Sequence, residues 1–145
     1  MGTKLLECIG PQIKLTSNVM AVEHNKYLRS SGISSEQGLF LKFVLDFPGS
    51  TQTQLAELLH KDKTTVTRMI DILEKKNMLY RKACPNDRRV YQIYVTEKTT
   101  QQVEALTPLF ERRSEELREI ITPEEQEITL RVLKKIQNYY RGLNK

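Results

Sequence analysis

The chain has 145 residues, 39% of them apolar and 28% charged, and a net charge of +5, which suits one globular domain with a real core. No apolar run approaches the roughly 20 residues of a membrane span, so no membrane partner is expected. Two cysteines without a CxxC pair, Cys8 and Cys84, and two histidines, His24 and His60, exclude a spaced zinc site or a disulfide framework, and nothing asks for a cofactor or metal.

The N-terminus lacks a basic-then-apolar leader pattern, and Leu6 stands where a myristoylation motif opening at Met1-Gly2 requires Ser or Thr. A cytoplasmic protein is the expectation. Leu6, Ile9, Ile13, Met20 and Tyr27 follow helical spacing, interrupted by Gly10-Pro11. Because proline breaks a helix interior, the first helix is placed at 11–29, with an arm before it.

Ser34 with Gln37 forms a capping-box pair, and Leu39, Phe40, Phe43, Val44 and Phe47 supply the buried face of the helix that follows. Pro48-Gly49 stops it. Thr51 with Gln54 repeats the device before Leu55, Leu58 and Leu59, a helix of about two turns. After a polar turn at His60 to Lys63, Val66, Met69, Ile70 and Leu73 share one helical face, and Asn77 ends the helix because Asn tolerates the left-handed conformation.

Leu79 to Ala83 and Val90 to Val95 read as two strands joined by a loop from Cys84 to Arg89 that holds Pro85, Asn86 and Asp87. Thr96 is expected to cap a long helix with Val103, Leu106, Phe110, Leu117, Ile120 and Ile121 on one stripe, bent at Pro108. Thr122-Pro123-Glu124-Glu125 then opens a last helix carrying Ile128, Val132, Leu133, Ile136, Tyr139, Tyr140 and Leu143. The fold class is mainly α with a small β-hairpin wing. A winged helix-turn-helix lobe is placed at 34–96, with the helix-turn-helix at about 51–76 and the wing at about 79–95, inside a single domain 1–145.

Charge is concentrated in this lobe. Residues 61 to 91 hold nine basic against four acidic residues, and the remaining 14 basic and 14 acidic residues cancel. A basic segment in a neutral frame fits a polyanion partner such as double-stranded DNA, but charge alone equally suits a solvated surface, a membrane surface or an acidic partner. What decides is whether the local architecture presents those charges to a groove. With Val66, Ile70 and Leu73 in the core, the second helix presents Thr64, Thr67, Arg68, Asp71 and Lys75 outward, types that suit base edges in a major groove. Lys61, Lys63, Lys75 and Lys76 would hold phosphates. Arg81, Lys82, Arg88 and Arg89 charge the wing. Arg89 is a candidate for the minor groove, with Asp87 orienting it. Thr51, Gln52, Thr65 and Asn86 complete the candidate DNA-binding set.

The stretch LAELLHKDKTTVTRMIDILEKKNMLYRKACPNDRRVYQIYVT, with Asp87-x-Arg89 followed by Val95-Thr96, resembles the MarR family of bacterial transcriptional regulators. The resemblance covers nearly the whole chain and is densest from Thr51 to Thr96. It implies a homodimer of two winged lobes joined through the helices at 11–29 and 97–143, binding a pseudo-palindromic operator, usually to repress. Asn77, Val95 and Thr99 stand where the family commonly has Gly, Leu and Gly, which are mild changes. Independently, sparse apolar stripes on the first and last helices exceed what a small lobe can cover, which also predicts a second copy of the chain.

The resemblance further implies release by a small aromatic ligand or an oxidant. His24, Tyr27, Phe40 and Phe43 are candidates for the ligand pocket, with plain packing as the competing reading. Cys8 is the candidate redox residue, although Glu7 beside it opposes thiolate formation, and Cys84 is a second cysteine, at the wing. The competing function is a winged-helix module that binds another protein. An enzyme is disfavoured, since no nucleophile, paired carboxylate or Gly-rich phosphate loop accompanies the histidines.

Overall fold

The first helix, α1 (Ile9–Leu28), begins two residues before Pro11. Pro11 occupies its third position, where a backbone N–H has no acceptor inside the helix, so the ring costs no hydrogen bond. A short 3-10 turn, Leu5–Glu7, precedes it, within the stretch expected as an arm. The structure, a computed structural model, describes residues 4–143. The start of the expected arm, including Met1-Gly2, lies outside them.

Two compact units divide the chain at Glu104 and Ala105. In the first, Ser34 caps α2 (Ser35–Asp46) through the capping box with Gln37, and Phe40, Leu41 and Val44 turn inward. Thr51 and Gln54 close the same reciprocal pair at the start of α3 (Gln52–Leu59). This helix ends on His60 in the left-handed region, φ 54°. Helix α4 (Lys63–Lys75) follows, with Val66, Ile70 and Leu73 fully buried. Asn77 closes this part of the chain at φ 59°, the backbone state expected of it.

Three strands form the sheet: β1 (Ser50–Thr51), β2 (Leu79–Cys84) and β3 (Asp87–Val95), in the antiparallel order β1-β3-β2. The pair of residues in β1 was not expected, because two residues carry no alternation to read. They pair as Ser50 with Ile93 and Thr51 with Gln92. The wing loop is tighter than the expected Cys84-to-Arg89 segment. Only Pro85 and Asn86 separate the strands, and the register slips between Ala83, opposite Tyr91, and Cys84, opposite Asp87. Ile93 is fully buried, while Tyr91 and Val90 remain exposed. Gly49, at φ 79°, is confined to glycine twice over, since a Cβ there would lie 3.0 Å from Tyr94 Oη.

Thr96 lies just before the next helix, and its carbonyl accepts the Thr100 N–H at 2.8 Å. The Thr96 hydroxyl donates to the Asn77 carbonyl at 2.9 Å and its N–H donates to the Met78 carbonyl at 3.0 Å, which fastens the two ends of the wing together. Thr99 just beyond is buried. Helix α5 (Glu97–Ile120) contains Pro108, which removes the donor that the Glu104 carbonyl would otherwise receive.

In the second unit, the Thr122 capping box with Glu125 opens α6 (Pro123–Gly142), with Pro123 in its first turn. No residue of α6 is buried, and Ile128, Leu130, Tyr139 and Tyr140 are half or more exposed. Among the described residues no helix is long and apolar enough to cross a membrane, and no group of three or more His, Cys, Asp or Glu side chains could hold a metal ion.

Candidate nucleic-acid interface

Helix α4 owes its start to Asp62, whose carboxylate accepts the Thr65 N–H at 3.2 Å. A hydrogen bond from the Thr65 side chain, with this backbone one as a smaller contributor, holds the Asp62 pKa below its usual carboxylate value. The sequence signal for this cap is an Asp directly before an apolar helical pattern, inside the polar turn His60 to Lys63. Past the cap, Lys63, Thr64, Thr67, Arg68 and Asp71 line one open concavity of about 460 Å³. Four of the five residues expected on the outward face of α4, Thr64, Thr67, Arg68 and Asp71, thus share one concavity, and Lys75 is not among its lining residues.

The hydroxyls on this face differ in availability. Thr67 Oγ1 donates to the Lys63 carbonyl at 2.9 Å, so its proton is committed to the helix and its methyl and lone pairs are what it can offer a partner. Thr64 and Arg68 are exposed, whereas Thr65 is half-buried. Thr51 spends its hydroxyl on the Gln54 N–H at 3.2 Å, and Gln52 is half-buried beside it. Of the lysines expected to hold phosphates, Lys63, Lys75 and Lys76 are exposed, but Lys61 bonds Glu36 at 2.9 Å.

At the wing tip Asn86, Arg88 and Arg89 are exposed, with the Arg89 side chain 95% open. Asp87 acts on Arg89 mainly through the backbone. Its Oδ1 accepts the Arg89 N–H at 2.9 Å, while the guanidinium Nε sits 3.7 Å away. Lys82 on β2 is exposed and Cys84 is half-buried.

Arg81 is placed differently from its neighbours. Its guanidinium forks onto two carboxylates of α4, Nη2 to Asp71 and Nη1 to Glu74, and its side chain is only 19% exposed. Burial lowers its pKa, but the hydrogen bond to Asp71 and the charges of Glu74 and Asp71 outweigh that and raise it. Where an open cation for DNA was expected, Arg81 is a strut between wing and helix. The signal for this was the charge pattern of Asp71 and Glu74 on one helix, three residues apart, with an Arg on the next strand.

The candidate ligand residues occupy different environments. Phe40 is buried in the core, Phe43 is half-buried and stacks on Phe47 with centroids 6.4 Å apart, His24 is half-buried and Tyr27 is 56% exposed. Phe40 thus acts as a packing residue, the competing reading. Cys8 is half-buried and free at the N-cap position of α1, its thiol 3.6 Å from the Lys4 carbonyl.

A family model described as "MarR family" matches residues 33–91, from just before α2 into β3. The HTH-type transcriptional regulator MhqR of Bacillus subtilis is 27% identical over 120 residues, covering 83% of this chain and 79% of MhqR. The crystal structure of the S. aureus MepR–DNA complex matches with a TM-score of 0.81 at 27% identity, over 89% of this chain and 95% of that one. A MarR protein from Peptoclostridium difficile shares the fold, with a TM-score of 0.85 at 23% identity over 98% of this chain and 94% of that one. The capped helix pair, the wing and these likenesses together make the chain similar to the MarR-family winged helix-turn-helix transcriptional regulators, over residues 33–91 by the family model and over most of its length by fold.

Proposed function

We propose that the protein is a cytoplasmic homodimer that binds an inverted-repeat operator in double-stranded DNA, represses transcription from it, and is released by a small aromatic ligand or an oxidant. The observation that carries the DNA reading is the joint presentation of the α4 concavity and the open Arg88-Arg89 tip, on one lobe whose wing is strutted to α4 through Arg81. Thr64, Thr67 and Arg68 would meet base edges, Lys63 and Lys75 would hold phosphates, and Arg89 would enter the minor groove. The DNA-bound form of the similar MepR supports this assignment.

The dimer reading rests on apolar surface. Ile9, Val19 and Val22 of α1 are 58 to 65% exposed, and α6 buries none of its apolar side chains. Water-exposed apolar stripes on long helices favour a second copy. Two-fold symmetry would set the two α4 helices about one duplex turn, roughly 34 Å, apart. The whole chain then acts as one domain, with 11–29 and 97–143 as the dimerising helices. His24, Tyr27 and Phe43 remain the candidates to meet a ligand, and Cys8 to meet an oxidant.

Selection of DNA from a random pool by the purified protein, with sedimentation of the same sample, tests both parts. The expected result is an enriched inverted repeat and a particle of twice the chain mass. A pool with no enriched repeat refutes the operator reading.

A further inference from the structure

Asp71 is out of place on a surface meant for a polyanion. It lines the α4 concavity beside Lys63, Thr64, Thr67 and Arg68, and its side chain is 52% exposed. A carboxylate there repels phosphate, so a purely electrostatic surface gains nothing from it. The strut engages only one oxygen of Asp71 and has a second anchor on α4 in Glu74.

The hydrogen bonding suggests what the carboxylate does. Arg81 Nη2 donates to Asp71 Oδ1 while Nη1 is held by Glu74, so one oxygen of Asp71 is fixed by a guanidinium that is itself fixed. Oδ2 is then an oriented acceptor on the face that carries Thr64, Thr67 and Arg68. In a major groove an acceptor of this kind matches the exocyclic amino group of cytosine. Guanine and thymine present carbonyl oxygens that repel it, and adenine sets N7 beside its amino group.

We propose that Asp71 is a specificity-determining residue that accepts a hydrogen bond from a cytosine amino group at one position of each half-site, and that Arg81 is its positioning residue. This rests on the DNA-binding reading above. The strut thereby links the wing to base choice, because the same guanidinium that joins β2 to α4 sets the angle of the acceptor.

The test is random-pool selection with the full-length wild type and with Asp71→Ala, Asp71→Asn and Arg81→Ala, each checked for folding by circular dichroism. The wild type should enrich a repeat with cytosine at one symmetric position. Asp71→Ala should keep the repeat and lose that preference, with discrimination falling about fivefold to tenfold per half-site. Asp71→Asn, which keeps the side-chain shape should the alanine variant fail to fold, should move the preference to adenine. Arg81→Ala should relax the same position, whereas even relaxation across the site would mark Arg81 as a general support and end its positioning role. A wild-type repeat with no cytosine preference, or base frequencies unchanged in both Asp71 variants, overturns the proposal. A wild-type pool with no repeat instead removes the operator reading on which it stands.

Discussion

Arg89→Ala separates DNA contact from folding. The Arg89 side chain is 95% exposed and its ion pair to Asp87 is 3.7 Å long, so its loss removes no buried contact. Stability should stay within about 0.5 kcal/mol of wild type. The backbone bond from the Arg89 N–H to Asp87, 2.9 Å, survives the substitution, so the tip keeps its turn. In the proposed dimer two wings lose a contact at once. Taking about 1 kcal/mol per wing, the low end for an Arg in a DNA interface, the operator loses about 2 kcal/mol, or about thirtyfold in affinity. Two fewer cations also lower the slope of log K against log salt by about 1.8. Fluorescence anisotropy with a labelled operator across a salt series measures both quantities. An unchanged affinity with an unchanged slope would refute the idea that the wing tip touches DNA.

Three further outcomes are expected. Thr51→Ala breaks the capping box of α3 and should cost about 1 kcal/mol, lowering Tm by about 3 °C, whereas Thr51→Ser restores the acceptor; equal melting of the two variants would count against the cap. Because the folded-state pKa of Asp62 lies below its unfolded value, its contribution to stability is present above about pH 4 and is lost as pH falls through the folded pKa. Asp62→Asn should therefore shrink the drop in urea midpoint between neutral and acid pH, and an identical drop would contradict the linkage. Ile128→Lys with Leu130→Lys places charge on the exposed α6 surface and should yield a chain-mass particle in sedimentation with helical content retained; a variant that sediments like wild type would exclude these residues from the dimer contact.

The legible features of this chain are the local ones. The capping boxes at Ser34, Thr51 and Thr122 were readable because donor and acceptor lie three residues apart in sequence, and Asn77 was readable because few residues tolerate its backbone state. Strand β1 was not, since its partners Ile93 and Gln92 are remote and two residues show no period. Helix α1 starts two residues before the expected position 11, because proline is as free of hydrogen-bond cost at the third position of a helix as at the first. In the candidate site, the exposure of Thr64, Arg68, Arg88 and Arg89 followed from helical facing and turn chemistry. The commitments of Thr67 to Lys63, Thr96 to Asn77 and Arg81 to Asp71 and Glu74 depend on rotamers and on distances between elements, which residue types alone do not fix.

The sheet order has a consequence for how the lobe assembles. The hairpin of β2 and β3 closes between neighbours in sequence, so its loop-closure entropy is small and it can form early. Strand β1 must find Ile93 across the intervening α3, α4 and β2, with the Gly49 N–H reaching the Ile93 carbonyl at 3.3 Å. That pairing carries the longer closure cost and belongs late in folding. In a pulse-labelled refolding experiment the hairpin amides would gain protection first and Gly49 afterwards, so the wing takes shape before the chain segment ahead of α3 is locked against it.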